Sequence, residues 1–362
     1  MKITVSKKAI SDALQHCCAA ATRKSTMPIL KCVRLVPTTL GFELSAANEG
    51  MQMAVSCNVS AAVSAPESLC VSAHDLFDRV KALPDGDIKL ITKAGKLSVE
   101  SGSRKLSLSY ISADDYPKIP AFSGDLVKVP ALLLSEAFRS TLFAVCEDTS
   151  RSEISGLHLR VGGGRLVAVG TDNHRIAMFS ADCEGELDCL IPKASAVMLR
   201  AALDSATGDV GLSRDGQTMY ADFPVLGASF ASSTLNEERF PKIEGLAAEV
   251  PAEPCQVMAA VALDSLKALT AVGGKFGQVT LQKTGNTIRV SAVSDGGDES
   301  SDEFMATGCA DFAPFKVEGR FMIESIAACA TEVVSIASAD DTFKPVQVFG
   351  GNVHAPVAKL QQ

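Results

Sequence analysis

Hydrophobic and polar residues follow two periods along this chain, and the changes between them predict its elements. Leu134, Phe138, Leu142 and Val145 recur at helical spacing and would give a helix one apolar face. Other segments alternate with period two, as strands do: LGFELSA, GRLVAVG and NTIRVSAV. Turn signals lie beside them, GGG at 162–164 and TGN at 284–286. The pattern predicts helices followed by groups of antiparallel strands.

The pattern occurs three times. YPKI at 116–119 recurs as FPKI at 240–243, and the offset from Pro117 to Pro241 is 124 residues. SAANEGMQMAV (45–55) aligns with VGTDNHRIAMF (169–179), and ITVSKKAISDAL (3–14) aligns with VKVPALLLSEAF (127–138), at the same offset. A weaker third copy begins with CQVMAAVALDSL at 255–266. The repeat predicts three similar domains of ordinary size, at 1–123, 124–248 and 249–362.

Each copy is predicted to contain two helices. The first helix of each copy is expected at 6–20, 130–145 and 258–271. The second is expected to run through LFDRVKAL, AVMLRAAL and FMIESIAAC. Two helices packed on antiparallel strands define an α+β fold class, here with three similar units in one chain.

The composition is that of a globular protein. The chain has 362 residues, of which 47% are hydrophobic, and no apolar run approaches the ~20 residues of a membrane-spanning helix. The start, MKITVSKKAI, contains no apolar signal core, so a cytoplasmic location is expected. The eleven cysteines form no C-x-x-C pair, and many lie in apolar runs, as Cys70 and Cys329 do. Buried free thiols are therefore expected rather than disulfides.

The net charge of −8 argues against nucleic-acid binding unless charge is segregated on the surface. The five histidines show no metal-binding spacing and the glycine-rich stretches lack the G-x-G-x-x-G pattern, so we expect neither a metal nor a cofactor. The acidic stretch DESSDE (298–303) is expected to be a solvated loop.

The stretch VAVGTDNHRIAMF (167–179) holds the densest polar group. Asp172 is expected to accept backbone N–H groups of a turn, and Asn173 to take a left-handed conformation. His174 and Arg175 would then point outward, and Ile176 would return to apolar surroundings. A hydrolase using His174 is the alternative from another class, but no G-x-S-x-G element accompanies it. A docking surface, and not an enzyme, is the favoured interpretation.

Several of these segments together resemble one family. GTDNHRIA resembles a T-D-G-H-R-L-A signature, with Asn173 in place of Gly, and RFPKIEG resembles an R-F-P segment. MKITVSKKAI, STMPILKCV, ADDYPKIP and KPVQV complete the likeness, which is to the bacterial sliding clamp, the beta subunit of DNA polymerase III. The likeness covers the whole chain. The family's P-x-R-L ending is replaced by Pro356 followed by VAKLQQ, and the extra residue would allow Val357 to turn outward.

The resemblance implies a processivity factor without catalytic residues or cofactors. In that family a head-to-tail homodimer forms a ring with helices around a central hole, encircles duplex DNA and slides without reading its sequence. The ring tethers the replicative DNA polymerase. The clamp loader, repair polymerases and mismatch-repair proteins are further expected partners, each binding through a short peptide motif. A specialised repair clamp is the alternative within the class.

The resemblance also implies three sets of residues. A peptide pocket between the second and third domains would use Ile154, Thr171, His174, Arg175, Ile176, Pro241, Leu246, Val353, Ala355, Pro356 and Val357. DNA would be faced by Arg23, Lys24, Arg79, Arg139, Arg151, Lys193 and Arg200. The dimer would join the edge strand KLSLSY, through Leu106 and Leu108, to the end of a helix at Thr270 and Ala271.

Overall fold

The computed structural model describes residues 1–23, 25–49, 52–120, 125–243, 254–308, 311–339, 341 and 343–360. Helices and strands follow one order three times along the chain. The first copy contains β1 (Lys2–Ser6), α1 (Lys7–Ala20), β2 (Cys32–Pro37), β3 (Gly41–Ala47), β4 (Met53–Ser60), β5 (Ala62–Ser64), β6 (Leu69–Ser72), α2 (Ala73–Ala82), β7 (Asp87–Lys93), β8 (Lys96–Ser101) and β9 (Arg104–Ser112).

The second and third copies have the same order without the short β5. The second contains β10 (Val127–Pro130), α3 (Ala131–Thr141), β11 (Gly156–Gly162), β12 (Arg165–Thr171), β13 (Ile176–Asp182), β14 (Leu187–Pro192), α4 (Lys193–Leu203), β15 (Asp209–Asp215), β16 (Thr218–Phe223) and β17 (Ala228–Ser233). The third contains β18 (Cys255–Met258), α5 (Ala259–Val272), β19 (Gln278–Thr284), β20 (Thr287–Val293), β21 (Glu299–Thr307), β22 (Phe312–Glu318), α6 (Gly319–Cys329), β23 (Val333–Ala337), β24 (Gln347–Gly350) and β25 (Val353–His354).

The predicted helices are present, and the α+β fold class is confirmed. The second helix of each copy begins two or three residues earlier than its apolar run, because the helix includes the residues just before that run. In α2, for example, Ser72 is the N-cap and accepts a hydrogen bond from the Asp75 amide. The predicted helix 130–145 ends sooner, because α3 gives way to a 3-10 turn at Leu142–Ala144.

The described residues form two compact units. The first consists of 1–135 and 194–234, and its strands form a sheet in the order β10-β15-β16-β17-β4-β3-β2-β6-β9-β8-β7-β1-β5. Helix α1 packs on β3 and β4, so Leu44 and Val55 are buried beneath it. Ser45 and Ser56 alternate with these residues and lie on the opposite face of the sheet.

The second unit consists of 136–193 and 235–362. Its strands follow the order β14-β11-β12-β13-β25-β24-β23-β18-β21-β20-β19-β22. The short strand β25 pairs with β13 through Met178 and His354, so the end of the chain extends the sheet that carries the TDNHR turn. Helices α5 and α6 pack against each other.

Two predictions are wrong. DESSDE is not a loop, since Glu299 to Glu303 begin β21 and pair with β20 along its whole length. The charged side chains at its start are exposed, whereas Phe304 and Ala306 further along are buried. The alternation typical of a strand is therefore absent from the residues 298–303 on which the prediction was based. Among the described residues, nine cysteines are free thiols, as expected, but Cys255 is disulfide-bonded. Cys255 is fully buried. Neither the hydrophobic periodicity nor the spacing of the cysteines indicates that it forms a disulfide.

Among the helices of the described residues, none is both long and apolar enough to cross a membrane.

Candidate functional site

The TDNHR turn joins β12 to β13 and has the predicted backbone. Asn173 is left-handed, with a φ of 76°. Asp172 Oδ1 accepts hydrogen bonds from the amides of His174 (3.0 Å) and Arg175 (3.1 Å). Thr171 Oγ1 donates to the carbonyl of Arg175 at 2.8 Å. The side chains of Asp172 and Thr171 therefore stabilise the backbone of the turn that contains them.

Arg175 does not point outward, and that prediction is wrong. Its side chain is 3% exposed, and its guanidinium carbon lies 4.4 Å from the ring centroid of Phe321 and 5.1 Å from that of Phe143. Nε donates to Asp172 Oδ2 at 3.0 Å, Nη2 donates to the Phe143 carbonyl at 3.0 Å, and Nη1 donates to Glu324. Burial is tolerated because the donors are matched by two carboxylates, a carbonyl and two aromatic faces.

Glu324, on α6, completes this arrangement. Burial raises the pKa of its carboxyl, but hydrogen bonds and charges from Arg175 and Arg320 outweigh burial and hold that pKa below its ordinary value. Glu324 Oε1 accepts from Arg320 Nε at 3.1 Å. The ionised Glu324 therefore ties the turn to α6.

The end of the chain lies against the same turn. The Ile176 amide donates to the Pro356 carbonyl at 3.0 Å, and the Ala358 amide donates to the His174 carbonyl at 2.8 Å. Val357 exchanges two 2.8 Å bonds with Val346 and is fully buried. The tail therefore does not turn Val357 outward, and that expectation is wrong.

The predicted pocket residues differ in exposure. Thr171 and Ile154 are neighbours, since both of their carbonyls accept from the Cys146 amide. The buried members are Ile154, Thr171, Arg175, Val353, Ala355, Pro356 and Val357. Ile176 is half-buried, whereas His174 and Pro241 are exposed, and Leu246 lies outside the described residues. Ile176 packs against the buried side chains of Val169, Leu190, Phe240 and Ile243. Among the described members of the set, His174, Ile176 and Pro241 are thus the ones that reach the surface.

A cavity of about 250 Å³ adjoins this surface, and the sequence analysis missed most of it. Pro241 is its only predicted member. Its lining is His158, Arg160, Val167, Val169, Met178, Glu237, Glu238, Phe240, Pro241, Lys242 and Ile243. The period-two pattern of β12 places Val167 and Val169 on one face, which was the available signal.

Nothing around His174 resembles a hydrolytic centre. In the described part of the chain, no hydrogen bond joins its ring to a carboxylate, and the ring instead stacks on Phe321 with centroids 6.1 Å apart. The carboxylate of Asp172 is occupied by Arg175 and by the two turn amides. Among the described residues, no group of three or more His, Cys, Asp or Glu residues is placed to hold a metal ion.

The residues predicted to face DNA lie on or beside helices. Arg139 on α3 is exposed, and Arg200 on α4 is half-buried. The others have partners: Arg23 lies 3.6 Å from Asp78, Arg79 Nε donates to the Ser107 carbonyl at 3.2 Å, Arg151 lies 4.0 Å from Glu153, and Lys193 Nζ donates to the Val145 carbonyl at 2.7 Å. Lys24 lies outside the described residues.

The helices differ in charge from the whole chain. Helices α1 to α6 carry nine Lys and Arg residues against six Asp and Glu residues, a net of +3, while the chain as a whole carries −8. Charge is therefore segregated, which weakens the objection to nucleic-acid binding.

The edge strand predicted at KLSLSY is β9. It pairs with β8 from Arg104 to Ser109 and with β6 only at Tyr110, Ile111 and Ser112. Among the described residues, the stretch 104–109 therefore has an unpaired side. Leu106 is half-buried, whereas Leu108 is 8% exposed and already belongs to the core of its own unit.

A second open edge, which the sequence analysis missed, belongs to β21. It pairs with β20 from Glu299 to Met305 and with β18 only at Ala306 and Thr307, so within the described residues 299–305 have an unpaired side. The edge of β9 carries Arg104 and Lys105, and that of β21 carries Glu299, Asp302 and Glu303.

At the end of α5, Thr270 faces inward. Its hydroxyl is buried, and a Cβ added to Gly319 would lie 2.0 Å from it. Ala271 is exposed, as are Val272 (44%) and Phe276 (67%). Val272 and Phe276 are the apolar groups that this surface offers, and they were not predicted.

The threefold order of two helices and antiparallel strands is the architecture of DNA clamps. The family model of the DNA polymerase III beta subunit N-terminal domain matches residues 1–120, and that of its central domain matches residues 128–242. The chain belongs to this family, the bacterial sliding clamps.

Named relatives are distant. The beta sliding clamp of Pseudomonas aeruginosa is 29% identical over 219 residues, which is 59% of each chain. The beta sliding clamp of Caulobacter vibrioides is 26% identical over 253 residues, or 67% of each chain. The chain thus aligns with little more than half the length of the Pseudomonas relative.

Solved structures share the fold throughout. The DNA polymerase III subunit beta from Pseudomonas aeruginosa has a TM-score of 0.90 at 21% identity, with both chains fully covered. The beta subunit from Thermotoga maritima has a TM-score of 0.91 at 22% identity, covering 100% of this chain and 99% of the other. At these identities the likeness establishes the fold.

Proposed function

We propose that this protein is a DNA polymerase processivity factor that encircles duplex DNA and tethers a replicative polymerase to it. The observation that carries the proposal is family membership over the first two domains together with a clamp fold over the whole chain. Tethering raises the local concentration of polymerase at the primer end, so the clamp needs no catalytic group of its own. Because it binds DNA, it would be associated with the nucleoid.

The charge distribution supports this role. A ring is retained on DNA by its topology, so it needs only weak attraction to phosphates. A net of +3 on the helices within a chain of −8 is the pattern expected if helices face the DNA. Arg23, Lys24 and Arg151 are the residues that we assign first to that surface, with Arg79, Arg139, Lys193 and Arg200 beside them.

We assign the dimer contact to the open edges of β9 and β21. An unpaired strand edge accepts a strand from another chain, and one edge is basic while the other is acidic. The apolar part of the contact is assigned to Leu106 on one chain and to the end of α5 on the other chain. The residues at that end are Ala271, Val272 and Phe276. Two such contacts would close a head-to-tail homodimer.

Partner proteins would bind at the surface formed by His174, Ile176 and Pro241. The buried members of the predicted set hold the shape of this surface: Ile154, Thr171, Arg175, Val353, Ala355, Pro356 and Val357. A short peptide with Leu or Phe anchors suits a half-buried Ile beside an exposed Pro. The replicative polymerase, the clamp loader, repair polymerases and mismatch-repair proteins would compete for this one surface.

The test is processive synthesis on a long primed template. With polymerase and clamp loader from the same cell, and excess primed competitor added after the start, this protein should lengthen the product of a single binding event. Product lengths that are the same with and without the protein would contradict the proposed function.

A further inference from the structure

A second cavity, of about 510 Å³, lies on the face of the first unit's sheet that is turned away from α1. It is lined by Arg34, Glu43, Ser56, Asn58, Ile119, Pro120, Leu126, Tyr220, Ala221, Asp222, Ser229, Phe230 and Ala231. All of these residues belong to the first unit. We call this cavity the trough.

The strand register explains the shape of the trough. One straight row of directly paired residues crosses β2, β3, β4, β17 and β16, in the order Arg34, Ser45, Ser56, Ser229 and Asp222. Four strand spacings make the row roughly 19 Å long. The next row is Ala47, Ala54, Ala231 and Tyr220. Ser56, Ser229 and Ala231 therefore form a floor of small side chains between Arg34 at one end and Asp222 at the other. Glu43 also lines the Arg34 end, two residues along β3 from Ser45.

The repeat shows what is unusual here. At the offset of 124 residues, Glu43, Ser45 and Ala54 correspond to Val167, Val169 and Met178, which line the smaller cavity in the second unit. In that copy Val169 is packed against Phe240 and Ile243. The first copy has small or polar residues at the equivalent positions, so the same place in the domain is hollow and charged.

Two buried polar atoms in the row lack partners. Arg34 Nε and Ser45 Oγ are adjacent across β2 and β3, and neither has a hydrogen bond within the described residues. Ser45 is fully buried. Arg34 lines the trough, whereas Ser45 does not, so the guanidinium of Arg34 is the incompletely satisfied donor group that a ligand in the trough can reach. At the far end, Asp222 Oδ1 accepts from Ser229 Oγ at 2.9 Å and retains acceptor capacity for a cation.

We propose that the trough binds an extended peptide with a carboxylate at the Arg34 end, a cationic side chain at the Asp222 end, and small apolar residues between them. Arg presents a planar fork of donors that matches a carboxylate. The small floor residues, together with Ile119, Pro120 and Leu126 of the lining, suit the apolar residues. At about 3.3 Å per residue, a row of this length holds five or six residues. The site is separate in sequence from the TDNHR surface and rests on different residues.

The test uses the full-length protein and pentapeptide mixtures. One mixture has Asp first, Lys last and Ala, Val, Leu or Ser at the three central positions, and a second has the reverse order. Control mixtures have Asn for Asp and Gln for Lys. Protein and peptides are separated from free peptide by size-exclusion chromatography, and retained peptides are counted by mass spectrometry. We expect at least tenfold enrichment of one charged order over its amide control.

Variants locate the binding. Arg34→Gln should remove the preference for the carboxylate, and Ser56→Leu should fill the floor and remove retention altogether. Arg165→Gln makes the same charge change at an exposed position in the other unit, and this variant should retain the peptides. Ile176→Asp should also retain the peptides. A failure of the trough proposal is therefore distinguishable from a failure of the proposed partner-binding surface at His174, Ile176 and Pro241.

The proposal is overturned if neither order is enriched, or if Arg34→Gln and Ser56→Leu both retain the peptides as the unchanged protein does. Circular dichroism melting of each variant shows whether it is folded. Should Arg34→Gln not fold, Ser56→Leu alone decides between binding and no binding.

Discussion

At the residue scale, the central feature is that Arg175 supports the proposed docking surface from inside. Its contacts with Asp172, Glu324 and Phe143 hold the turn, which presents His174 and Ile176. The sequence could predict the turn, because Asp and Asn favour it locally. It could not predict the burial of Arg175, because Glu324 lies 149 residues away in the chain.

Replacement of Glu324 tests this support through pH. Its pKa is lowered in the folded chain, so its stabilising effect is complete above the ordinary value of 4.5 and is lost as the pH falls through the folded pKa. Glu324→Gln should lower the free energy of unfolding at pH 7 by about 2 kcal/mol, as for a hydrogen bond to a charged group. The difference should shrink below about pH 4.5 in urea titrations. Equal losses at pH 7 and in acid would contradict it, and Glu332→Gln, at an exposed position, is the matched control.

Ile176 carries the prediction for partner binding. A peptide of the Q-x-x-L-F type should bind with a Kd of ~1 μM, or about −8 kcal/mol. Ile176→Asp should weaken it by a few kcal/mol, because a carboxylate would be placed among Val169, Phe240 and Ile243. Ile176→Leu should keep the affinity within about tenfold. Calorimetric titration is the measurement, and an unchanged affinity in Ile176→Asp would reduce the turn to a structural role.

At the scale of elements, the proposed dimer contact joins the open edges of β9 and β21, and charge changes test it. Leu108→Lys is a poor test of assembly, since Leu108 is buried within its own unit and the change would also disturb folding. Charges on the exposed edges avoid this difficulty. Arg104→Glu with Lys105→Glu should give monomers, and so should Asp302→Lys with Glu303→Lys.

Combining all four changes in one chain should restore the dimer, because each acidic edge would then meet a basic one. Sedimentation equilibrium measures the outcome, and Lys93→Glu, at an exposed position on β7, is the control. A fourfold variant that remains as monomeric as the twofold variants would show that these edges do not meet.

The elements also show which features of the fold can be predicted from the sequence. Helix positions, hairpin turns and the threefold order follow from periodicity and glycine, which act locally. The start of β21 was missed because a strand with one solvated face and an acidic sequence resembles a loop until its pairing with β20 is seen. The inward orientation of Thr270 depends on Gly277 and Gly319, and only packing shows it. A position-by-position comparison of the first two repeats predicts smaller and more polar side chains at the site of the trough. The width of the trough could not be predicted, because it depends on the pairing of β4 with β17.

At the scale of the whole molecule, an acidic chain is compatible with DNA if the attraction is weak and the ring is closed. Basic helices within a chain of −8 should give sequence-independent binding to linear duplex that is lost steeply with salt. Retention on a closed circle should depend on topology and outlast that loss.

The measurement that tests the central claim most directly is retention on circular DNA before and after it is cut. The protein is loaded onto nicked circular plasmid by clamp loader and separated from free protein by gel filtration at a salt concentration that abolishes binding to linear duplex. We predict that it stays with the circle and is released once a restriction enzyme linearises the plasmid. Retention that is the same on the cut and uncut plasmid would contradict an encircling clamp.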